Sequence, residues 1–436
     1  MNNMENQPGY VKLALPKGRF LLPTANLLDG IDLGFSHYSH KTRRYRLRSA
    51  RFPYLSAKVF QEKDIPIQVA VGNYDLGICG LDWIEEFVAR YPSGALIKIS
   101  NLNYGEGSIY VVASSQAGFS SFDESLARQN DWRIVSEYPN LAEAFALKFR
   151  MRKFRIFPVW GAAEVYPPEN ADLAILWGKS ESDLKAQGVL PLMSLFPVTA
   201  FLIANRESLE SKNLSQILTC LSNVSTKESD IVTSQDDVVV RMSQSNVIAS
   251  EAKQSHWQAK EIKLALPDGH QQSPTSQFLQ RAGLNLQGYS GKVLNRRPSV
   301  DLDWLGIKVI RPQDMPLQIA NGNFDLAITG EDWLLEHLYR FPSSPVAKLL
   351  ALGFGRVKIV AAVSQDIPAA SIGELRSLVQ SGDFEALRVA SEYINIADKY
   401  LRDNYISPYK LIPTWGASEA FLPEDADLLI DNAQTG

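Results

Sequence analysis

The sequence predicts an α/β fold arranged as a tandem pair of two-lobed units with mostly parallel sheets. Three observations carry that expectation: a set of motifs that occurs twice in one order, strand-like apolar runs alternating with helical patterns, and a glycine pair near the middle of each copy.

The repeat organises the chain. Val11-Lys-Leu-Ala-Leu-Pro-Lys-Gly-Arg19 returns as Ile262-Lys-Leu-Ala-Leu-Pro-Asp-Gly-His270. Gly72-Asn-Tyr-Asp-Leu-Gly-Ile-Cys-Gly-Leu-Asp-Trp83 returns as Gly322-Asn-Phe-Asp-Leu-Ala-Ile-Thr-Gly-Glu-Asp-Trp333. Tyr104-Gly-Glu-Gly107 matches Leu352-Gly-Phe-Gly355, Ser136-Glu-Tyr-Pro-Asn140 matches Ser391-Glu-Tyr-Ile-Asn395, and Trp160-Gly-Ala-Ala-Glu164 matches Trp415-Gly-Ala-Ser-Glu419. A nearly constant offset marks a duplicated domain rather than a short solenoid repeat. The copies span 11–222 and 262–436, and the segment 223–260 between them is polar and serine-rich, the composition of a linker.

Within the first copy, Val11–Leu15, Ala57–Phe60 and Leu76–Cys79 read as buried strands. After Gly80, apolar residues at Ile84, Phe87, Val88 and Tyr91 form the stripe of an amphipathic helix, repeated at Leu334, His337, Leu338 and Phe341. Further strands are expected at Ile109–Ala113, Arg133–Val135, Arg155–Val159 and Leu173–Leu176. Strands separated by helices imply a mostly parallel sheet covered on both faces. The glycines at 105–107 and 353–355 mark crossovers between lobes, where permissive dihedrals are needed, and Phe196–Asn205 is apolar enough to return to the first lobe.

Composition bounds the function. The chain has 436 residues, 45% hydrophobic and 21% charged, with net charge −4. That is globular usage, and the balance argues against non-specific nucleic-acid binding. Two cysteines, Cys79 and Cys220, indicate no disulfide framework. The polar start has no signal-peptide core, and no apolar run approaches the ~18 residues of a membrane span, so a cytoplasmic protein is expected.

Several motifs can carry chemistry. Lys17-Gly18-Arg19 ends a buried strand, where two cations and a glycine can receive phosphates, or can simply form a solvated turn. Asp82 and Asp332 follow a glycine at a helix start and read as helix-start punctuation. Asp431 ends a strand before Thr435 and Gly436, a loop able to wrap a terminal phosphate while the carboxylate holds ribose hydroxyls. Glu164 and Glu419 follow a strand and a glycine turn and either contact a ribose or Mg2+ or cap the next helix. His37 and His40 have metal-like spacing but read as a polar loop, and Trp83, Trp160, Trp333 and Trp415 read as core. No Gly-x-x-x-x-Gly-Lys-Ser/Thr loop occurs, so any ATP is not held in the P-loop manner.

Taken together, the blocks resemble the catalytic chain of ATP phosphoribosyltransferase, the first enzyme of histidine biosynthesis, over nearly all of both copies. The resemblance implies a two-lobed unit like type II periplasmic binding proteins, working as paired subunits. It implies transfer of the phosphoribosyl group of phosphoribosyl pyrophosphate (PRPP) to N1 of ATP, with release of pyrophosphate and with Mg2+ as cofactor. A ring nitrogen is already nucleophilic, so the chemistry needs positioning and cations for the leaving group.

The copies depart from the family pattern at different places. The first keeps Lys17 and Arg19 but has Gln61 where the second has Arg311, and its phosphoribosyl loop reads Leu176-Trp-Gly-Lys-Ser-Glu181. The second keeps Arg311 and the Asp431 loop but reads Pro267-Asp-Gly-His270, and stops at Gly436 within the loop, which suggests a truncated gene product. The expectation is an internal pseudo-dimer with one competent PRPP site in the second copy. Arg311 is its cation, and Lys17 and Arg19 serve it across the internal interface. Asp431, Thr435, Gly436, Glu419, Gly416, Ser418, Glu392 and Tyr393 bind substrate. A further homo-oligomer or a regulatory subunit is compatible with this. The competing class is a catalytically decayed nucleotide- or PRPP-binding regulatory module; a secreted solute-binding protein would need an export signal.

Overall fold

The computed structural model describes residues 9–35, 37–39, 44–92, 94–118, 122, 131–151, 153–222, 262–290 and 294–433. The linker 223–260, His40, Thr435 and Gly436 lie outside the described residues.

In the first copy, lobe one is a six-stranded sheet in the order β2-β3-β1-β4-β11-β5. Its strands are β1 (Val11–Lys17), β2 (Arg46–Arg48), β3 (Leu55–Gln61), β4 (Leu76–Gly80), β5 (Leu96–Asn101) and β11 (Ala200–Asn205). β1 pairs in parallel with β3 and β4, and β11 returns antiparallel between β4 and β5. Lobe two is a five-stranded sheet, β10-β6-β9-β7-β8. It comprises β6 (Ser108–Ser114), β7 (Trp132–Ser136), β8 (Phe154–Pro158), β9 (Leu173–Gly178) and β10 (Val189–Pro197). The expected strands are therefore present, parallel at the centre of each sheet and antiparallel where the chain crosses or returns. Val11, Leu13, Ala14 and Leu15 are all fully buried because β1 is central and covered on both faces. Gly105 and Gly107 take φ of 123° and 89° at the crossover, and Gly353 and Gly355 take 78° and 65° at its counterpart.

The second copy repeats the plan with β12 (Ile262–Pro267), a hairpin of β13 (Gln287–Tyr289) and β14 (Leu294–Ser299), β15 (Leu305–Ile310) and β16 (Leu326–Ala327). Its second lobe orders β17-β20-β18-β19, from β17 (Lys358–Val363), β18 (Leu387–Ser391), β19 (Tyr409–Pro413) and β20 (Leu428–Ala433). Among the described residues no strand lies beyond β16 as β11 lies beyond β4, and Leu349 and Leu350 are 78% and 73% exposed. No described helix is long and apolar enough to cross a membrane.

The copies pack reciprocally, lobe one of each against lobe two of the other. One core joins Phe60, Ile65 and Val69 to Phe421, Ala426 and Leu429; another joins Val159, Ala163 and Tyr166 to Ile310, Met315 and Phe324. Polar contacts repeat the same symmetry. Lys58 bonds Asp425 at 2.7 Å and Glu424 at 3.2 Å, and Lys308 bonds Glu169 at 2.9 Å and Asn170 at 3.0 Å. This is the isologous contact of a two-fold dimer, made inside one chain.

Candidate functional site

Because lobe one of each copy meets lobe two of the other, each cleft at the interface is composite. The first contains a cavity of about 590 Å³, lined by Lys17, Gly18, His37, Tyr38, Arg44, Tyr45 and Gln61 of the first copy and by Glu419 of the second. Lys17 is the last residue of β1, so its side chain stands at the carboxyl end of a central strand, where ligands of such sheets bind. Gly18 turns the chain with φ of 93°, a conformation L side chains rarely adopt. The Lys17 ammonium donates to the Tyr45 hydroxyl at 3.3 Å.

The second copy's contribution to the lining is Glu419, on the turn Ser418–Phe421, which packs against β20. Ser418, 1% exposed, donates its hydroxyl to Asp431, and the Asn432 N–H donates to the same carboxylate at 2.6 Å. Burial, with the charge of Glu419, pushes the Asp431 carboxyl up to about 6. Glu392 is pushed up to about 7 by burial and by Asp431 and Glu419, against the pull of Lys63. Gly416 has φ of 101°, and a Cβ there would lie 3.2 Å from both Gln61 Nε2 and Glu392 Oε1. Lys17 and Glu419 thus line one composite cleft, Gly416 meets it through Gln61, and Ser418, Glu392 and Asp431 adjoin Glu419 and Gly416 behind it.

Three expected residues lie elsewhere. Arg19 is held inside the first copy, by Glu62 at 2.9 Å and Asp82 at 2.5 Å, with Trp177 over its guanidinium. Arg311 belongs to the second composite cleft: its Nε lies 2.7 Å from where a Cβ on Gly161 would be, and it faces Asp268 at 3.3 Å. Tyr393 is 1% exposed and donates its hydroxyl to Asp332 at 2.7 Å while its ring stacks on Trp333, so it braces the two lobes.

Asp82 is more than helix punctuation. It is fully buried and accepts from Arg19 and from the Tyr138 hydroxyl at 2.8 Å, across the lobes. Glu86 on the same helix face accepts from the N–H groups of Asn140 at 3.0 Å and Leu141 at 2.8 Å, and Glu336 does the same for Asn395 and Ile396. These carboxylates hold the N-terminus of a second-lobe helix. The i, i+4 spacing of Asp82 and Glu86 was the available sequence signal. Glu164 lies in the first turn of the short helix Ala163–Val165, and its carboxylate accepts from Arg296 at 3.2 Å.

Between the two clefts sits Lys63, its ammonium 5.1 Å from the Trp160 ring, 5.5 Å from Trp415 and 5.7 Å from Trp83. The tryptophans line this junction instead of an isolated core; Trp160 and Trp333 lie 5.7 Å apart. Burial lowers the Lys63 pKa against Glu137, Asp64, Glu392 and Asp314. Burial holds Asp64 up at about 8 and Glu137 at about 7, against the pull of Lys63 on both and of Arg311 and Arg19 on Glu137. Cys79 is fully buried, donates to the Glu62 carbonyl and has its thiol pKa raised, the opposite of an activated nucleophile.

Comparison with known proteins bears on both copies. The family model for ATP phosphoribosyltransferase matches residues 61–223 and 311–436. The ATP phosphoribosyltransferase of Saccharolobus solfataricus is 34% identical over 182 residues, 41% of this chain and 57% of that enzyme. That of Prosthecochloris aestuarii is 30% identical over 175 residues, 40% of this chain and 55% of that enzyme. The chain therefore spans little more than half the length of these curated relatives. Among solved structures, the ATP phosphoribosyl transferase (HisG:HisZ) complex from Thermotoga maritima matches at TM-score 0.41 and 20% identity, over 49% of this chain and 98% of that one. The alkanesulfonate-binding protein SsuA from Xanthomonas axonopodis pv. citri matches at TM-score 0.33 and 14% identity, over 50% and 73%. With the family model covering most of the chain in two segments, one in each copy, the chain belongs to the ATP phosphoribosyltransferase family.

Proposed function

We propose that the chain transfers the phosphoribosyl group of PRPP to N1 of ATP, and that the first composite cleft is where it does so. The observation carrying this reading is the cavity of about 590 Å³ in which Lys17 and Arg44 of one copy meet Glu419 of the other, beside β20, which carries Asp431 and runs on to Ala433. Its volume is in the range of small-molecule sites. Its cations come from one copy and its lining carboxylate, Glu419, from the other, which suits a substrate with a pyrophosphate at one end of a ribose.

In this reaction the adenine N1 lone pair attacks the ribose C1 and the bond from C1 to the pyrophosphate oxygen breaks. The electron pair leaves with the pyrophosphate, where Lys17 and Arg44 receive the charge. Glu419 and Asp431 accept from ribose hydroxyls, with Ser418 fixing the Asp431 carboxylate. Gln61 and Glu392, facing each other across Gly416, narrow the approach. Arg19 and Tyr393 serve as positioning residues and Arg311 serves the other cleft.

Among the described residues no group of three or more His, Cys, Asp or Glu would hold a metal alone. Mg2+ characteristically takes one or two carboxylates together with substrate phosphates. Glu419 and Asp431, whose proximity raises the Asp431 pKa, fit as that pair. When bound, Mg2+ would supply charge neutralisation at the pyrophosphate. A cytoplasmic setting suits these substrates, and a further homo-oligomer or a regulatory subunit is the external partner to look for by light scattering.

Asp431→Asn in the full chain is the test, with ATP- and PRPP-dependent pyrophosphate release as the readout. Loss of about 10² or more in kcat/KM is expected; undiminished release would sink this assignment. Lys17→Met should lower kcat by a similar factor, since its charge matters most as the pyrophosphate departs.

A further inference from the structure

The second composite cleft carries the same framework with different charges. β12 ends in Pro267 and is followed by Asp268, where β1 has Lys17. Asp268 is 4% exposed, and its carboxylate is held by two arginines: Arg296 Nη1 at 2.7 Å and Arg311 Nη1 at 3.3 Å. The Arg296 Nε is taken by Glu164 at 3.2 Å. The corresponding groups of the first cleft are Lys17, Tyr45, Gln61 and Glu419. One lysine there, bonded to a phenol, is replaced here by a carboxylate clasped between two guanidinium groups.

Guanidinium forks recognise carboxylates and phosphates through the same geometry. We propose that Asp268 is a built-in substitute for a phosphate and closes the second cleft to polyanionic ligands. A pyrophosphate entering it must displace a buried carboxylate from both arginines and leave that carboxylate uncompensated, which is costly. The opposite wall agrees. Leu176 stands where the second copy has Asp431, and the following Trp177 donates its indole N–H to the Glu106 carbonyl at 3.1 Å while its ring covers Arg19. The cleft thus keeps its arginines while both are occupied from within, and one chain offers one anion site, not two.

This rests on the reading of the first cleft as a pyrophosphate-binding site, and the experiment separates the two claims. Inorganic pyrophosphate is titrated calorimetrically into the full-length wild type, Asp268→Asn and Asp268→Lys, with Lys17→Met marking the first cleft. Asp268→Asn keeps the shape, and Asp268→Lys restores the residue of the other copy, so a failure of either to fold leaves the other. One site in the wild type and two in the Asp268 variants is the expected result. The added site should weaken about tenfold or more on Arg311→Met and be indifferent to Lys17→Met. One site in every protein overturns the role of Asp268 and leaves the first cleft standing. No site in the wild type but one in the variants supports Asp268 and removes the reading of the first cleft. Two sites already in the wild type, or none anywhere, overturns the proposal.

Discussion

The two composite clefts share a backbone plan and differ in where their charges are spent. In the first, Lys17 faces a cavity lined from the other copy by Glu419; burial and Glu419 raise Asp431 to about 6, and burial, Asp431 and Glu419 raise Glu392 to about 7. In the second, Arg296 and Arg311 are already paired with Asp268 and Glu164. A duplicated site can therefore be lost without loss of the interface that formed it, because the surrounding contacts are made by other residues. In a two-fold dimer of identical chains, a change at one cleft is forced on the other. A fused pair is free of that constraint, and the decay at Gln61, Asp268 and Leu176 is what such freedom permits.

The interface contacts outside the clefts test how far that asymmetry reaches, and the largest effect is expected there. Lys58 is 4% exposed and neutralises Asp425, itself 6% exposed. Removing it by Lys58→Met leaves a buried carboxylate uncompensated, a loss of about 3–5 kcal/mol. Lys308→Met should cost clearly less. Its partner Glu169 is held down at about 2 with help from Arg297, whereas burial pushes Lys308 itself down to about 8. With Lys308 gone, Glu169 is 38% exposed and still paired with Arg297 at 2.9 Å, so no buried carboxylate is left without a partner. Urea midpoints at unchanged m-value measure both. Equal losses would mean that the two halves of the interface are equivalent after all.

This crossed pairing was the least legible part of the sequence. Repeated blocks, alternating elements and the crossover glycines follow from local pattern, and strands such as Leu76–Gly80 lie where apolar runs put them. The contact of Lys58 with Glu424 joins residues 366 apart, and nothing local announces it. A signal existed: a lysine inside an apolar strand recurs as Lys308, and a buried lysine needs a partner. The helix stripe at Ile84, Phe87, Val88 and Tyr91 likewise found one truly buried residue, Ile84, while Asp82 and Glu86 are buried beside it. Hydrophobic periodicity cannot find a buried carboxylate whose partners come from another lobe. For the candidate site, the sequence grouped Lys17 across the internal interface with Glu419 and Asp431, but it added Arg311 on the assumption that the second copy's own two lobes share that cleft.

The carboxyls at the junction sharpen the comparison through pH. Glu137 and Glu392 occupy equivalent positions, and both rise from 4.5 to about 7, burial being the largest cause. A carboxyl whose folded pKa exceeds its unfolded value binds more protons when folded, so stability is greatest at the acid end and falls as pH rises through about 7. Asp64, Glu62 and Glu86, also raised, act in the same direction. Glu169, held at about 2, acts only below the usual carboxylate range. The melting midpoint should therefore fall by several degrees between about pH 5 and 8, on the order of 1 kcal/mol or more. Glu137→Gln with Glu392→Gln should flatten that slope. A slope unchanged by both substitutions would show that these two carboxyls are not among the groups titrating.

The smallest expected difference lies in the paired glycines of the two clefts. Gly416 has φ of 101° and faces Gln61 and Glu392, so Gly416→Ala forces a strained backbone and should cost about 1 kcal/mol. Gly161 has no such φ, and the three atoms nearest a Cβ there all belong to Arg311: Nε at 2.7 Å, Nη2 at 3.4 Å and Cγ at 3.5 Å. That side chain is 42% exposed and can swing away, so Gly161→Ala should change stability by about 0.5 kcal/mol or less. It would nonetheless draw Arg311 off Asp268, so the same substitution should add weak pyrophosphate binding to a protein of nearly unchanged stability. Stability loss at Gly161 as large as at Gly416 would mean that Arg311 is fixed by the wall rather than by Asp268. In that case the closure of the second cleft would belong to its packing and not to its charge.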